Sequence, residues 1–279
     1  MNIARNTFGL RLTDFGGINL GLTLDCGQCF RWKKLADGAW KGVVGSHAVR
    51  IIEDGEDLIF LGMSEDVFIN TFYHYFDFDR DYDKALKRLS EDELLKDTIE
   101  RYGTIRILNQ EPWETLCSFI LSSCNNIARI KGIIERLCAL FGEDLGGGEF
   151  SFPSAERLAV LEPEDLDPVR CGYRAEYVID AARKVAEGEI DLEKLKVTPL
   201  DDARRELMKI KGVGVKVADC TLLFGLGHMS AFPKDRHILR IAKSAYPDGL
   251  PECVKGLEGL AQQYMFHFQR TENGRRTAV

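Results

Sequence analysis

The hydrophobic period of this chain changes once along its length, and that change limits the folds it can adopt. Between residues 7 and 61, short segments alternate or are wholly apolar, and Asp37-Gly38 and Asp54-Gly55 are typical of hairpin turns. From residue 65 onward the apolar residues fall three and four apart, as in residues 127–141, which Gly142 ends. We therefore predict an α+β fold, with an antiparallel sheet of about five strands followed by a mostly helical region.

The change of period also divides the chain. We predict an N-terminal antiparallel β domain at residues 1–80, whose strands include residues 22–24 and 30–32, and an α-helical domain at residues 81–279. Helices are predicted near residues 112–123, 155–161, 174–187, 215–226, 236–245 and 252–268.

The composition is that of a globular protein without a membrane span. Apolar residues make up 45% of the 279 residues and charged residues 29%, and no segment approaches the roughly 18 consecutive apolar residues that a membrane helix needs. Residues 1–11 lack the apolar block of a signal peptide. We expect no membrane partner and a soluble intracellular protein, in the cytoplasm or nucleoid if the source is bacterial.

Eight scattered cysteines are too few for a disulfide scaffold, so we expect mostly reduced thiols. Cys26 and Cys29 have the spacing of a redox motif, but they lie among strand-like residues, and no second pair completes a zinc site. Packing or a loop contact is the simpler interpretation of this pair. We predict no metal and no cofactor.

The most informative segment is residues 207–224, where an amphipathic helix leads into Gly212-Val213-Gly214 and a second helix follows. The first helix is predicted to begin with Thr198 as its N-cap and Pro199 at its first helical position. Backbone N–H groups at the start of the second helix form an anion site suited to a DNA phosphate. The alternative is a glycine-rich turn between two helices.

Two residues near this turn are candidates for chemistry. Lys216 lies in the first turn of the second helix, where the positive end of the helix dipole disfavours another cation, and a neutral amine is a nucleophile. Asp235 follows a proline and precedes an apolar helical pattern. Taken singly, Asp235 also fits a helix N-cap and Lys216 an ordinary lysine at a helix start.

Together these segments resemble a known family. Lys-Gly-Val-Gly-Val-Lys-Val-Ala-Asp-Cys followed by Pro-Lys-Asp-Arg-His is similar to the helix-hairpin-helix DNA glycosylases, specifically the 8-oxoguanine DNA glycosylases of the eukaryotic and bacterial type. Four other segments resemble the same family in the same order: Cys-Gly-Gln-Cys-Phe-Arg-Trp at 26–32, Leu-Ser-Ser-Cys-Asn-Asn-Ile-Ala-Arg-Ile at 121–130, Gly-Tyr-Arg-Ala-Glu-Tyr at 172–177 and Gly-Leu-Ala-Gln-Gln-Tyr-Met-Phe at 259–266. The resemblance covers nearly the whole chain, with the helix-hairpin-helix at about residues 204–226.

The resemblance implies a bifunctional glycosylase and AP lyase that acts on duplex DNA as a monomer. Lys216 would attack C1′ of the damaged nucleotide and form a Schiff base before β-elimination of the 3′ phosphate, and the carboxylate of Asp235 would stabilise positive charge on the sugar. The nucleotide has to leave the stack to reach them. The carbonyl of Gly27 would accept the N7 hydrogen that 8-oxoguanine carries and guanine lacks.

The resemblance assigns three further residues to the flipped base. Cys220 and Phe266 would sandwich it, and Gln262 would bond its Watson-Crick edge. The alternatives are core packing for Cys220 and Phe266 and a solvated helix face for Gln262.

The remaining correspondences concern DNA around the lesion. Tyr173 resembles the wedge that unstacks the neighbouring base, and Arg129 and Arg174 resemble the arginines that read the unpaired cytosine. The full set of DNA-binding positions is Cys124, Asn125, Asn126, Arg129, Tyr173, Arg174, Gly212, Gly214, Val217 and His237, of which His237 matches a phosphate contact.

The sequence departs from the family pattern at two positions. Cys124 replaces the first of three asparagines, which puts strict preference for cytosine in doubt, because cysteine fills less volume and hydrogen-bonds weakly. Lys211 replaces a proline and adds a cation near the phosphate.

Other interpretations remain open at this point. Only Cys253 follows Asp235, so the four-cysteine iron–sulfur cluster of the endonuclease III branch is not expected. A glycosylase for another lesion and a non-catalytic DNA-binding module are the alternatives.

The net charge of −7 argues at first sight against a nucleic-acid partner, but the charge is uneven. Residues 204–243 hold nine basic and three acidic side chains, whereas residues 61–100 hold five basic and eleven acidic ones. We predict that the first segment faces DNA and that the second faces away.

Overall fold

The N-terminal region forms one six-stranded antiparallel sheet in the computed structural model, which describes residues 1–277 of the chain, with side chains through Arg270. The strand order is β1-β2-β6-β5-β4-β3. The strands are β1 (Asn2–Asn6), β2 (Gly9–Thr13), β3 (Lys33–Lys34), β4 (Trp40–Val44), β5 (His47–Asp54) and β6 (Asp57–Leu61). A separate two-stranded sheet pairs β7 (Asp144–Gly146) with β8 (Glu149–Phe150).

The predicted α+β class is confirmed, but two of the predicted strands are wrong. Residues 22–24 belong to the helix Leu20–Leu24, whose N-cap is Asn19, and residues 30–32 form no strand. The sheet also contains β1 and β3, two strands that the sequence pattern did not predict. Short apolar runs do not distinguish a buried helix from a strand, and tertiary contacts decided these segments.

The helical region begins directly after the sheet. Its α-helices, numbered after α1 (Leu20–Leu24), are α2 (Glu65–Val67), α3 (Tyr73–Tyr75), α4 (Tyr82–Leu89), α5 (Glu93–Tyr102), α6 (Pro112–Ser122), α7 (Ile127–Phe141), α8 (Ala155–Ala159), α9 (Arg174–Ala186), α10 (Leu192–Leu195), α11 (Leu200–Leu207), α12 (Val215–Phe224), α13 (Arg236–Ala245) and α14 (Glu258–Thr277). A π-helical turn, Phe68–Phe72, joins α2 to α3, and Pro163–Val169 and Glu252–Val254 are 3₁₀ turns.

The start of α11 differs from its prediction by one residue. Pro199, not Thr198, occupies the N-cap, and it makes no side-chain capping bond. The hydroxyl of Thr198 instead donates to the carbonyl of Lys194 at 2.9 Å. Thr198 therefore satisfies the end of α10 rather than the start of α11.

Arg106 connects the two regions of the molecule. Its guanidinium is buried and donates to the carbonyls of Phe15 at 2.7 Å, Gly17 at 3.0 Å and Asp77 at 2.9 Å. Its carbon Cζ lies 4.8 Å from the ring centre of Phe78 and 4.6 Å from that of Tyr82. This residue holds a loop of the sheet region against the helices that follow it, because a buried guanidinium must keep its partners.

Candidate active site

A cavity of about 990 Å³ lies between the loop that contains Gly27 and the helices α6, α7, α12, α13 and α14. Eleven of the residues singled out by the sequence line it: Gly27, Cys124, Asn125, Asn126, Arg129, Lys216, Cys220, Asp235, His237, Gln262 and Phe266. The other five lie outside its lining: Tyr173, Arg174, Gly212, Gly214 and Val217. Residues far apart in the chain thus meet at one place.

The turn between α11 and α12 requires a glycine at its first position. Gly212 has a φ of +78°, and a Cβ there would lie 2.2 Å from Cδ2 of Tyr177. Gly214 is the N-cap of α12 and brings no side chain to cap it. The first-turn N–H groups of α12 have no acceptor within the helix, which leaves them available to an anion. Because the side chain of Val217 is buried, this residue can offer only its backbone to DNA.

Lys216 reaches from the first turn of α12 towards α6. Its Nζ lies 3.5 Å from Oγ of Ser122 and 5.1 Å from the ring centre of Phe119. Neither neighbour is a carboxylate, so the contacts position the amine without forming an ion pair.

Asp235 is the N-cap of α13, as one of its two interpretations predicted. Its Oδ1 accepts hydrogen bonds from the backbone N–H groups of His237 at 2.9 Å and Ile238 at 2.8 Å. Both bonds go to one oxygen, and they orient the carboxylate at the cavity wall. A capping role and a chemical role are therefore compatible in the same side chain.

Three predicted base contacts form another wall of the cavity. Cys220 is buried, and burial raises the pKa of its thiol to about 11 against the opposing effect of the Lys216 cation. Phe266 meets His237 edge to face, with ring centres 6.3 Å apart. Gln262 is only 5% exposed, so its interpretation as part of a solvated helix face is wrong.

The loop between α6 and α7 carries the positions predicted to lie opposite the lesion. Cys124 is exposed and adopts a left-handed backbone with φ 51°, which asparagine tolerates better than most residues. Asn126 caps α7 by accepting from the N–H of Arg129 at 2.9 Å. Asn125 donates to the carbonyl of Leu121 at 3.3 Å. The Arg129 side chain is exposed at the cavity.

Arg174 is held by this loop rather than directed into the cavity. It is 5% exposed, and its guanidinium donates to the carbonyls of Ser123, Cys124 and Cys171. Its Cζ also lies 4.5 Å from the ring centre of Tyr173, whose side chain is 55% exposed. Arg174 thus supports the loop from behind, and direct base reading by it stays a prediction.

The basic segment at residues 204–243 is less cationic than its count indicated. Four of its nine basic side chains, Arg204, Arg205, Lys209 and Lys211, form ion pairs with carboxylates. Lys211 pairs with Glu176 at 2.5 Å, outside the window that was counted, so it adds less charge near a phosphate than expected. A sequence window misses Glu176 because it lies 35 residues from Lys211 along the chain.

Several cavity residues were not identified from the sequence. Ser122 and Phe119 contact Lys216, and Gln263 lies beside Gln262. Ser122 stands within the quoted segment at 121–130, but its proximity to Lys216 depends on the packing of α6 against α12.

The paired cysteines in the loop around Gly27 are free and buried. Burial raises the pKa of the Cys26 thiol to about 11 and that of the Cys29 thiol well above its usual value. These thiols donate to Thr23, Gln263 and Leu24, in agreement with the loop-contact interpretation. Within residues 1–277, no helix is long and apolar enough to cross a membrane. Among the side chains described, which extend through Arg270, no group of three or more His, Cys, Asp or Glu residues is arranged to hold a metal.

Comparison with known families covers most of the chain. The model described as "8-oxoguanine DNA glycosylase, N-terminal domain" matches residues 13–116, and that described as "HhH-GPD superfamily base excision DNA repair protein" matches residues 117–249. An Arabidopsis thaliana protein named "N-glycosylase/DNA lyase OGG1" is 34% identical over 258 residues, which cover 84% of this chain and 68% of that protein. The chain belongs to the 8-oxoguanine DNA glycosylase family.

Two other members of this family show how far the likeness extends. The Saccharomyces cerevisiae "N-glycosylase/DNA lyase" is 44% identical over 157 residues, which cover 51% of this chain and 42% of the yeast protein. The crystal structure of the Clostridium acetobutylicum 8-oxoguanine glycosylase/lyase, in complex with DNA containing cytosine opposite 8-oxoguanine, is 34% identical. It superposes with a TM-score of 0.91 and covers 98% of this chain and 99% of its own.

Proposed function

We propose that this chain excises 8-oxoguanine from duplex DNA and then cleaves the strand as an AP lyase. The observation that carries the proposal is the presence of Lys216 and Asp235 in one cavity, in a member of this family.

The duplex is held by its backbone while the damaged nucleotide is turned out. The free N–H groups of α12 bind a phosphate, and the exposed ring of Tyr173 acts as the wedge that unstacks the base next to the extruded nucleotide. The Nδ1 atom of His237 is buried without a hydrogen-bond partner among the described residues, which suits a further phosphate contact.

Lys216 carries the covalent chemistry. After the ammonium group of Lys216 has released a proton to water, the neutral amine attacks C1′ and forms a Nζ–C1′ bond. The bond from C1′ to N9 breaks as the base leaves with the bonding pair and is then protonated. The sugar ring opens to a Schiff base as O4′ takes up a proton. Loss of a proton from C2′ then expels the 3′ phosphate, and water releases the lysine.

Asp235 stabilises the positive charge that develops on the sugar as the base departs. Its capping bonds hold one carboxylate oxygen in place, so little reorganisation is needed during the reaction.

Recognition of the lesion starts with Gly27, whose carbonyl accepts the N7 hydrogen of 8-oxoguanine. Gly27 has a φ of +93°, a backbone conformation in which a residue with a side chain would be strained. An unpaired buried acceptor costs roughly 1–3 kcal/mol, or about 5- to 150-fold. Cys220, Phe266 and Gln262 supply the additional contacts that discrimination from abundant guanine requires.

The opposite strand is read by the loop between α6 and α7 together with the first turn of α7. Arg129 presents its donors to the unpaired base, and Asn125 and Asn126 line the gap beside it. Arg174 holds the loop in position through its backbone carbonyls.

The proposal is tested with a duplex that contains one 8-oxoguanine opposite cytosine. Parent protein should release free 8-oxoguanine, nick the strand, and form a covalent adduct when borohydride is present. Lys216→Gln should bind the same duplex but give neither nick nor adduct. Absence of base release from 8-oxoguanine, with release from another lesion in a panel, would assign a different substrate; binding without chemistry by the parent would leave only a DNA-binding module.

A further inference from the structure

Gln262 belongs to a row of buried polar groups that are joined by hydrogen bonds, which we call the file. Nε2 of Gln262 donates to the carbonyl of Pro233 at 3.3 Å, and Oε1 of Gln262 accepts from Nε2 of Gln263 at 2.7 Å. Oε1 of Gln263 in turn accepts from the thiol of Cys26 at 3.4 Å. Gln263 is 4% exposed and Cys26 1% exposed, so the file is shielded from water.

The carbonyl at the Pro233 end fixes the direction of the bonds between the two glutamines. The carbonyl of Pro233 can only accept, so the amide of Gln262 must present its NH₂ group there. Oε1 of Gln262 then faces Gln263, and an amide oxygen can only accept. At the other end, the single thiol hydrogen of Cys26 has two acceptors, Oε1 of Gln263 at 3.4 Å and the carbonyl of Thr23 at 3.6 Å. Gln263 must therefore receive through its oxygen and donate through its nitrogen, towards the oxygen of Gln262.

The direction of the Gln262 amide matters for a base in the cavity. Each of its two polar atoms is used once in the file and keeps one further bonding site, an acceptor on Oε1 and a donor on Nε2. A guanine-type base presents N–H donors at N1 and N2 and an acceptor at O6, which match that pair. If the amide of Gln262 were rotated by 180°, its NH₂ group would face the N–H donors of the base, and these hydrogen bonds would be lost.

We propose that Gln263 is a positioning residue that locks the amide of Gln262 in the orientation that reads a guanine-type Watson-Crick edge. This inference rests on the proposed function and adds a specificity determinant to it. Gln263 connects Gln262 to the loop that contains Gly27, because its other hydrogen-bond partner, Cys26, precedes Gly27 in that loop. The file thereby links the residue that reads the Watson-Crick edge, Gln262, to the loop in which the carbonyl of Gly27 accepts the N7 hydrogen.

The inference separates two reactions of the same enzyme. Excision of 8-oxoguanine needs the base edge to be read, whereas cleavage at a preformed abasic site involves no base. A loss of Gln262 orientation should therefore slow the first reaction and spare the second, while general damage to the fold would slow both.

The test compares single-turnover rates on duplexes with 8-oxoguanine and with an abasic site, both opposite cytosine. Gln263→Met, which keeps side-chain length but removes both polar atoms, should slow excision by about 5- to 30-fold, the effect of one or two lost hydrogen bonds, and change abasic cleavage far less. In a Gln262→Ala background, Gln263→Met should add no further loss, because no amide remains to be oriented.

Gln263→Glu is the conservative variant. A protonated carboxyl can donate to Oε1 of Gln262 as the amide does, whereas the ionised form repels that oxygen. The ratio of excision to abasic cleavage should therefore fall with rising pH in Gln263→Glu more steeply than in the parent.

The outcomes distinguish failure of this inference from failure of the proposed function on which it rests. A parent that does not release 8-oxoguanine overturns the proposed function and the inference with it. An active parent whose Gln263→Met variant excises at the parent rate, loses both reactions equally, or loses activity additively with Gln262→Ala overturns the inference alone.

Discussion

Two polar clusters of this molecule, one buried and one half-buried at the cavity, contrast in how completely they are satisfied. At the junction of the two regions, the Nε, Nη1 and Nη2 atoms of Arg106 each donate to a backbone carbonyl, and aromatic rings flank the guanidinium. At the cavity, Lys216 has a 3.5 Å contact with Ser122, and Nδ1 of His237 is buried without a partner within the described residues. Saturated polar groups stabilise a fold, whereas unsaturated ones are available to a ligand. The contrast separates the residues that stabilise the fold from the residues that take part in binding and reaction.

The largest effect should follow from breaking the junction. Arg106→Leu should lower the free energy of unfolding by about 2–6 kcal/mol, because the two buried carbonyls of Phe15 and Asp77 lose their donor at about 1–3 kcal/mol each. Thermal unfolding should shift down by about 10 °C. Abasic-site cleavage by the remaining folded protein should stay near the parent rate; a loss of cleavage at unchanged stability would contradict the division between scaffold and chemistry.

Asp235 should behave in the opposite way. Asparagine also caps helices well, so Asp235→Asn should keep stability near that of the parent while removing the negative charge. Excision should fall by about 100- to 1000-fold, the usual loss when one electrostatic group is removed.

Asp235→Ala serves as the matched comparison. It should show the same fall in excision together with a loss of about 1 kcal/mol of stability, because the cap is lost as well. Equal stability of the two variants would show that the cap contributes little.

His267 lies in α14, with its ring centre 6.0 Å from that of Tyr102, and it makes stability depend on pH. Burial and, to a lesser extent, the Arg270 cation lower its pKa from 6.5 to about 4. Between these two pH values the native state thus binds fewer protons than the unfolded chain. The contribution of neutral His267 to the free energy of unfolding is therefore complete above pH 6.5 and is lost as the pH falls to about 4. It amounts to ~3 kcal/mol.

Urea unfolding of the parent and His267→Gln at pH 7, 5.5 and 4 measures this contribution. The parent should lose more stability on acidification than the variant. Parallel pH profiles would show that His267 is not the titrating group.

The smallest effect is expected at Cys124. Its left-handed backbone costs an L-residue roughly 1–2 kcal/mol, of which asparagine recovers part. Cys124→Asn should raise thermal unfolding by about 1–2 °C and sharpen the preference for cytosine over the other bases opposite 8-oxoguanine. Unchanged ranking of the four opposite bases would show that this position does not set the preference.

The parts of the fold that sequence predicted well are those with a strong local signal. The change of period and the helices α6, α7, α9, α12 and α13 were anticipated to within about two residues, as is usual for amphipathic segments with clear ends. The errors at residues 22–24 and at Thr198 concern short segments, where contacts with distant residues outweigh local preference.

The candidate site shows the same division. Motifs located most of the cavity lining, because resemblance to a family carries over position by position. They could not reveal that Arg174 is enclosed by carbonyls, that Glu176 pairs with Lys211, or that Gln263 orients Gln262, since each depends on long-range packing.

The most direct test of the division between scaffold and chemistry is to map the lysine that becomes attached to DNA. After borohydride reduction with 8-oxoguanine duplex and digestion with nuclease and trypsin, mass spectrometry should find the sugar remnant on the peptide of residues 212–234, uncleaved at Lys216. A remnant on Lys234, Lys131 or any other lysine would contradict the assignment of the cavity's chemistry to Lys216.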